Sequence, residues 1–490
     1  MKKRIYCAVA ILLFLLACLL SCSGDSGGGE DKSGGTDNQS VGTESGEELA
    51  TKDPWDNLPE KDYGGYDFRI YVRDSEIYTD DFWAEAESAE PVSAAVYMRN
   101  SIVEEKFNIN ITPILYPSDD HAAEAAKRAM RAGDDVADLV AMHGGTMFTM
   151  AGEGLLMDWF EAMPHINFGA PWWPEEIAKN LGAFGKLYCM TGDISHTRLN
   201  RTMCFLFNKK LFADLAIDYP YADVIGGTWT FDKFAAITRQ GKADLDGDGN
   251  ITHDADRWGL ENLNEWTYAV SVLYSGGDKI ITVNDDGSLE LTIYNERTLN
   301  IYEKFFELVD TGSVYIGNVM GPGWAGMFLD GRSLFFSGLL EGIIEYRNME
   351  EEIGILPLPK YDESTPKYYA NVEGSTNMLV VPITSSEPER TSVIVEALCA
   401  EGNRLVMPAL YDVALKTKFA RDEESALMLD YVKEGIMYDY GYYDNTLVPE
   451  IAYTGVFLAQ NRALNFTSFY ESRAAAIQKN IDMLNAENLG

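Results

Sequence analysis

The apolar and polar positions divide the chain into three parts. An apolar run over residues 5–20 opens it, and a stretch of Gly, Ser, Asp, Glu and Thr follows from Ser23 to about Lys61. That stretch has few large apolar residues and cannot bury enough surface to fold, so we predict a flexible tether. Beyond it, apolar residues recur with strand and helix periods, and a β-rich run at 66–72 predicts the first strand.

Helical and extended patterns alternate after this strand. Helical spacing over 92–107 precedes an extended pattern at 109–115, and helical spacing at 121–131 precedes an extended run at 137–142. A βαβαβ order predicts parallel strands with helices on both faces, which is the α/β class. The later chain continues with extended patterns at 186–190, 203–207, 331–336 and 378–381, and with helical patterns at 209–215, 231–240 (capped by Thr230), 295–310, 388–400 and 470–484.

The residues His143-Gly144-Gly145-Thr146 follow the third predicted strand directly. Ligands of such sheets lie at the carboxyl ends of the strands, so we predict a ligand loop here. A glycine-rich turn into the next helix is the alternative, and the sequence does not choose between the two.

Size and charge narrow the function classes. The chain has 490 residues, of which 46% are apolar and 12% aromatic, enough for two lobes with separate cores. The formal net charge of −38 repels nucleic acid, which we exclude as a partner. Cys189, Cys204 and Cys399 lie in the part predicted to fold, too few for a disulfide framework. Cys189 and Cys204 either pair or remain buried thiols.

The first segment has the layout of a bacterial lipoprotein signal. Basic residues 2–4 precede the apolar run, which is short for a spanning helix of about 20 residues, and small Ser21 precedes Cys22. We predict a signal peptide over 1–21 and a lipid on the Cys22 thiol that holds the protein at the extracellular face of the cell membrane. Cys18 is a weaker second acceptor, and an ordinary secretory signal or a single anchor helix is the alternative.

Residues 244–250 begin like the calcium loop of an EF-hand. Carboxylates stand at loop positions 1, 3 and 5, glycine at 6 and the Asn250 carbonyl at 7, whereas position 12 is Ala255 with an acid on either side. We predict a structural Ca²⁺ site, in which Asp256 is the candidate to close the loop. The predicted ligands are Asp244, Asp246, Asp248, Asn250, Asp254 and Asp256. A solvated acidic turn without metal is the alternative.

Catalytic signatures are sparse in the sequence. The five histidines form no zinc-protease arrangement, and no nucleophile elbow or P-loop is present, so we predict no enzyme and no catalytic cofactor. A glycosidase needs only two carboxylates, which 77 acidic residues leave open. Aromatic side chains are the better sign of a sugar ligand, with core packing as the alternative for each. Candidates at predicted loops or element ends are Trp83, Trp172, Trp173, Trp266 and Trp324.

Taken in order, several of these segments resemble motifs of the extracellular solute-binding proteins of ABC importers, in particular the carbohydrate-binding cluster that includes maltose-binding protein. The segments are ADLV (137–140), GLLMD (154–158), GKLY (185–188), FLFNKKLF (205–212), GTWTFDKF (227–234), DLDGDG (244–249) before WGL (258–260), FLDGR (328–332) and GILPLP (354–359). Each motif is short, and their shared order carries the resemblance.

The resemblance implies a two-lobed periplasmic-binding-protein-like fold, in which each lobe is a mixed, mostly parallel sheet flanked by helices. It implies crossings between the lobes near 193–198, near Ser333 and near Glu373. After a tether over 22–62, the N-terminal lobe would comprise 63–195 and 333–372, and the C-terminal lobe 196–332 and 373–490.

The family's ligand loops map onto segments of both implied lobes. The matching positions are His143, Gly144, Thr146, Asp193, Trp266, Ser337 and Glu373. Members often carry an aromatic residue just after the strand that follows the FLDGR-like motif, where this chain has Gly338 and Leu339. Trp83 or Trp324 would then substitute as the stacking residue.

The implied function is a monomeric, lipid-anchored binding protein. It would capture a carbohydrate or oligosaccharide between its lobes and deliver it to the permease subunits of an ABC importer. Two other classes stay open at this point, a surface-tethered carbohydrate-active enzyme and a sensory or adhesive lipoprotein on the same fold. A peptide ligand also stays open.

Overall fold

The sheets are built from segments that carry strand patterns in the sequence. A computed structural model describes residues 58–86, 88–119, 123–263, 268–317, 325–342, 346, 351–412, 423–461, 463 and 465–489. The strands are β1 (Tyr66–Asp74), β2 (Ile109–Pro117), β3 (Leu139–His143), β4 (Met203–Asn208), β5 (Trp258–Leu263), β6 (Ile281–Val283), β7 (Leu289–Leu291), β8 (Val314–Gly317), β9 (Ser333–Leu339), β10 (Ile353–Leu356), β11 (Ala370–Asn371), β12 (Asn377–Val380) and β13 (Ile436–Met437).

Helices separate most of these strands. The first half contains α1 (Glu76–Thr79), α2 (Pro91–Phe107), α3 (Glu124–Ala132), α4 (Gly144–Gly152), α5 (Trp159–Ala162), α6 (Glu175–Leu181), α7 (Thr197–Asn200), α8 (Lys209–Asp214), α9 (Tyr221–Ile225) and α10 (Phe231–Gly241). The second half contains α11 (Tyr268–Ser271), α12 (Glu296–Asp310), α13 (Gly326–Leu329), α14 (Pro388–Glu401), α15 (Glu423–Glu434), α16 (Tyr440–Tyr443), α17 (Thr454–Gln460) and α18 (Phe466–Leu489). A π-helical turn, Gly402–Val406, continues α14.

The first sheet has the order β12-β3-β1-β2. β1 runs parallel to β2 and to β3, which confirms the predicted βαβαβ unit. β12 is antiparallel to β3 and places Asn377 opposite His143.

The second sheet has the order β10-β4-β9-β5-β8. β5 is parallel to β8 and β9, whereas β4 is antiparallel to β9 and to β10. Both sheets are therefore mixed and covered by helices, which confirms the predicted fold class.

Two segments connect the sheets, one between β3 and β4 and one between β10 and β12. They hydrogen-bond to each other, since the Glu373 amide donates to the Arg201 carbonyl at 2.8 Å and Thr202 forms a bridge with Val372. The positions 193–198 and Glu373, where crossings are expected, lie within these two segments.

The assignment of 333–372 to the N-terminal lobe is wrong for its strands. β9 lies between β4 and β5 in the second sheet, and β10 pairs with β4, so no crossing falls at Ser333. β12, which was assigned to the C-terminal lobe, belongs to the first sheet. Sheet membership depends on hydrogen bonds between strands far apart in sequence, and the local pattern of a strand carries no sign of it.

Two smaller predictions also differ from the structure. Residues 186–190 form only isolated bridges, Ala183 with Lys186 and Met190 with Leu379, instead of a strand. Thr230 stands at the N-cap of α10 as predicted, but its side chain makes no capping hydrogen bond.

Two further findings concern the state of the cysteines and the apolar length of the helices. Cys189, Cys204 and Cys399 are free and buried, which is the thiol alternative. No helix in the described part of the chain is long and apolar enough to cross a membrane.

Candidate functional site

The carboxyl ends of parallel strands in both sheets lie beside the two connecting segments. β1 and β3 end at Asp74 and His143 in the first sheet, and the connecting segment that leads into β12 passes this edge. In the second sheet β9 ends beside the start of β4, and the Leu340 amide donates to the Thr202 carbonyl at 3.0 Å. Solutes of α/β sheets bind at such carboxyl edges.

His143 ends β3 and caps the helix that follows it. Its Nδ1 accepts a hydrogen bond from the Gly145 amide at 3.0 Å, and the Thr146 hydroxyl donates to the His143 carbonyl at 2.9 Å. The segment is thus locally a glycine-rich entry into α4, as in the alternative interpretation, and the half-buried His143 and Thr146 lie at the carboxyl edge of the sheet.

The start of α4 is locked to the second connecting segment. The Gly144 amide donates to the Gly374 carbonyl at 2.8 Å, and a Cβ on Gly144 would lie 2.6 Å from the Tyr443 ring. The Gly374 amide donates to the Tyr442 hydroxyl at 3.1 Å. Glu373 directly precedes Gly374 in the chain. The structure therefore brings the predicted residues Gly144 and Glu373 close together.

A tyrosine-rich segment that the sequence analysis missed supports this contact. Tyr438, Tyr440, Tyr442 and Tyr443 are all buried, and the Tyr443 hydroxyl donates to the Val372 carbonyl at 3.0 Å. Burial raises the pKa of the Tyr442 and Tyr443 hydroxyls well above the usual range, so both stay protonated. Four tyrosines within six residues are the signal that could have identified the segment.

The carboxylate of Asp193 is occupied by the protein itself. It forms an ion pair with Arg198, and the Asn403 amide donates to Asp193 Oδ2 at 2.6 Å. Asp193 is buried, so it joins the first connecting segment to the π-helical turn rather than facing a solute.

Glu373 and Ser337 are buried in different surroundings. Glu373 accepts a hydrogen bond from Ser375, and the neighbouring Arg201 pairs with Glu341 at 2.8 Å. Ser337 lies within the second sheet, where its hydroxyl donates to Asn262 Oδ1 at 3.1 Å.

Among the aromatic candidates, Trp83 is 47% exposed on the segment after α1. Trp266 and Trp324 lie outside the described residues, as does Cys22. The structure adds Tyr78 on α1, whose half-buried ring centroid lies 3.4 Å from Arg73 Cζ and 5.6 Å from Arg201 Cζ. Both arginines come from the segments that border the predicted site.

The acidic loop brings three of its six predicted ligands together. Carboxylate oxygens of Asp244, Asp246 and Asp256 lie within 4.8 Å of one another. Amide hydrogen bonds from Thr252 and Leu245 lower the pKa of the Asp256 carboxyl. Asp256 is therefore the acid of the later loop positions that lies beside Asp244 and Asp246.

Asp248 and Asp254 are not members of this cluster. Asp248 accepts from the Asn250 amide at 2.7 Å, and Asp254 is 98% exposed beside His253. The three clustered carboxylates suit a hard cation such as Ca²⁺, which prefers oxygen ligands.

Three solved structures illustrate what the fold resembles. The extracellular solute-binding protein from Staphylococcus aureus in complex with maltose has a TM-score of 0.57 at 13% identity, over 87% of this chain and 99% of its own. The galacto-N-biose/lacto-N-biose I-binding protein of an ABC transporter from Bifidobacterium longum has 0.56 at 12%, over 86% and 99%. UgpB from Mycobacterium tuberculosis in complex with glycerophosphocholine has 0.55 at 14%, over 87% and 100%.

No family model and no curated protein matches the chain. At 12–14% identity the likeness to solved structures concerns the fold. The similarity spans nearly the whole of each solved protein and most of this chain. The chain therefore has the two-lobed fold of the ABC-transporter solute-binding proteins, as its ordered motifs predicted.

Proposed function

We propose that this protein is the solute-binding component of an ABC importer and that it holds a carbohydrate between its two lobes without catalysis. One observation carries the proposal. The ligand edges of both sheets adjoin the same pair of hydrogen-bonded connecting segments, so a solute placed there contacts both lobes.

The residues at this place suit a sugar. Tyr78 lies on α1 and Trp83 is exposed on the segment that follows it, and sugars stack their apolar faces on such rings. His143 and Thr146 are half-buried at the same edge and offer polar groups for hydroxyls.

Closure follows from the way the lobes are joined. The connecting segments meet through the Glu373–Arg201 bond and the bridge between Thr202 and Val372. A solute that contacts both sheets stabilises the closed arrangement over the open one by its differential affinity. A permease that binds only the closed arrangement would then dock only with the solute-bound protein.

The anchor and the metal are further parts of the proposal. The lipoprotein-like signal supports a diacylglyceryl chain on Cys22 and a location at the extracellular face of the membrane. The cluster of Asp244, Asp246 and Asp256 supports a structural Ca²⁺ remote from the solute. We propose that the protein acts as a monomer.

Thermal unfolding of the full chain, in a detergent without a sugar head group, tests the carbohydrate assignment. A ligand that binds only the folded state stabilises it by mass action, by about 2.7 kcal/mol at a free ligand concentration of 100 times Kd. This stabilisation raises the midpoint of thermal unfolding. We expect one or more saccharides of a mono- and oligosaccharide panel to raise it and to be recovered intact. No shift with any saccharide, or a saccharide recovered cleaved, would refute the proposal.

A further inference from the structure

Arg73 is a buried cation whose hydrogen-bond donors are only partly satisfied. It is fully buried near the end of β1, and its Nη2 donates to the Ser375 carbonyl and to Asn377 Oδ1 at 3.2 Å. Its Nε and Nη1 have no hydrogen-bond partner. A buried donor without an acceptor is rare and costs free energy, so this side chain requires an explanation.

The guanidinium also lacks a counter-charge at contact distance. Among the described residues, no carboxylate lies within ion-pair distance of it. The Glu373 carboxylate acts on Arg73 only from a longer distance, and it accepts a hydrogen bond from Ser375. A buried cation is tolerated best when an anion pairs with it.

The position of Arg73 is that of a ligand group. It stands at the carboxyl edge of the first sheet, one residue before β1 ends, where the proposed solute binds. Tyr78 belongs to α1, a helix of four residues that follows β1, and its half-buried ring lies over the Arg73 guanidinium. Because Arg73 is fully buried, an anion reaches it only when side chains around it, Tyr78 among them, move.

We propose that Arg73 receives an anionic group of the solute, so that the preferred solute is an acidic saccharide. The inference rests on the proposed function and narrows its substrate class. Arginine pairs with carboxylate and phosphate in charge-assisted hydrogen bonds, whereas sugar hydroxyls would satisfy the donors and leave the charge unpaired. The anionic group is a uronic acid carboxylate or a sugar phosphate, which share this chemistry.

The negative net charge of the chain does not oppose this binding. Exposed charges are screened over about 8 Å at physiological ionic strength, whereas a contact with a buried guanidinium is screened much less. The field of the surface would slow the approach of an anion more than it would weaken the bound state.

The test compares matched ligands on the full chain in a detergent without a sugar head group. Titration calorimetry is run with uronic acid oligosaccharides, their methyl esters, sugar phosphates and the corresponding neutral sugars. We expect one anionic class to bind at least tenfold more tightly than its neutral match. The class that shows this preference identifies carboxylate or phosphate as the anion.

Variants assign the preference to Arg73. In Arg73→Gln we expect the anionic and neutral ligands to bind equally. Arg73→Lys keeps the positive charge and serves as the second variant if Arg73→Gln does not fold. In Arg73→Lys we expect the preference for the anionic ligand to shrink several-fold. Arg239→Gln removes an exposed arginine on α10 and should leave the preference unchanged.

The outcomes separate this inference from the proposed function. Neutral saccharides that bind as tightly as anionic ones, or a preference that survives Arg73→Gln, overturn the inference and leave the carbohydrate function standing. An absence of binding by every saccharide, neutral and anionic, overturns the function and the inference with it.

Discussion

At the scale of single residues, the Asp81 carboxylate holds the first connecting segment against the first sheet. It is fully buried and lies 2.9 Å from His196 Nδ1, and it accepts hydrogen bonds from Thr197 and from Asn377 at the start of β12. Burial by itself would raise the pKa of Asp81, but the charge of His196 and the hydrogen bonds outweigh it and lower the pKa to about 2.

The substitution Asp81→Asn tests this role through its pH dependence. A lowered carboxyl pKa stabilises the folded state above the unfolded value near 3.8, and this stabilisation is lost as pH falls towards 2. We expect the variant to lose about 3 kcal/mol of unfolding free energy at pH 7. The difference in unfolding free energy between variant and wild type should decrease by about 2 kcal/mol between pH 4 and pH 2.

Urea unfolding at several pH values measures this gap. Asp74→Asn is the matched control, because Asp74 is exposed at the end of β1 and should change the stability little at any pH. A gap that stays constant from pH 7 to pH 2 would contradict the assignment.

The residue scale also shows the limit of motif reading. The sequence located His143 and Glu373, and the structure places them at one edge. The sequence could not indicate that the Asp193 carboxylate pairs with Arg198 and accepts a hydrogen bond from Asn403, because no local pattern relates Asp193 to both partners. Arg73 and Tyr78 were missed for the same reason.

At the scale of elements, α4 depends on the absence of a side chain where it meets the tyrosine-rich segment. A Cβ on Gly144 would lie 2.6 Å from the Tyr443 ring, and the hydroxyl of that ring is bonded to the Val372 carbonyl. The ring therefore cannot move aside without losing a hydrogen bond.

We expect Gly144→Ala to destabilise the protein by about 1–3 kcal/mol, since overpacking forces such a shift. Thermal unfolding measures it. Gly152→Ala at the other end of α4 is the control, because nothing lies within 4 Å of its added Cβ and alanine favours the helix. Equal midpoints for the two variants would argue against tight packing at Gly144.

The acidic loop is the second element with a direct test. If Asp244, Asp246 and Asp256 hold Ca²⁺ as proposed, calcium should raise the unfolding midpoint of the wild type over that in a chelator. Asp256→Asn should abolish this rise, and Asp254→Asn should keep it because Asp254 points into solvent. A calcium response that survives Asp256→Asn would exclude the closing role.

At the scale of the whole molecule, the proposed anchor decides where the binding domain works. The sequence predicts a tether from Ser23 to about Lys61, and a flexible coil of that length spans on the order of 35 Å. The proposal places the folded part within that reach of the membrane surface.

Metabolic labelling with a fatty acid tests the anchor. We expect Cys22→Ser to lose the label and Cys18→Ser to retain it, because apolar residues follow Cys18 where a flexible linker is expected. Label that persists in Cys22→Ser, or that requires Cys18, would overturn the choice of acceptor.

The sequence alone determined the strands and helices of the first sheet, the α/β class and the acidic loop. Local periodicity and turn residues encode these features, because they depend on neighbours a few positions apart. The ordered motifs added the two-lobed fold, and the structure agrees with it.

Only the tertiary structure decided which sheet takes β9, β10 and β12, and which of the predicted site residues face one another. Backbone hydrogen bonds between distant strands fix sheet membership, and buried polar partners fix whether a carboxylate such as Asp193 is available. Both depend on groups brought together from separate parts of the chain, which a one-dimensional pattern does not contain.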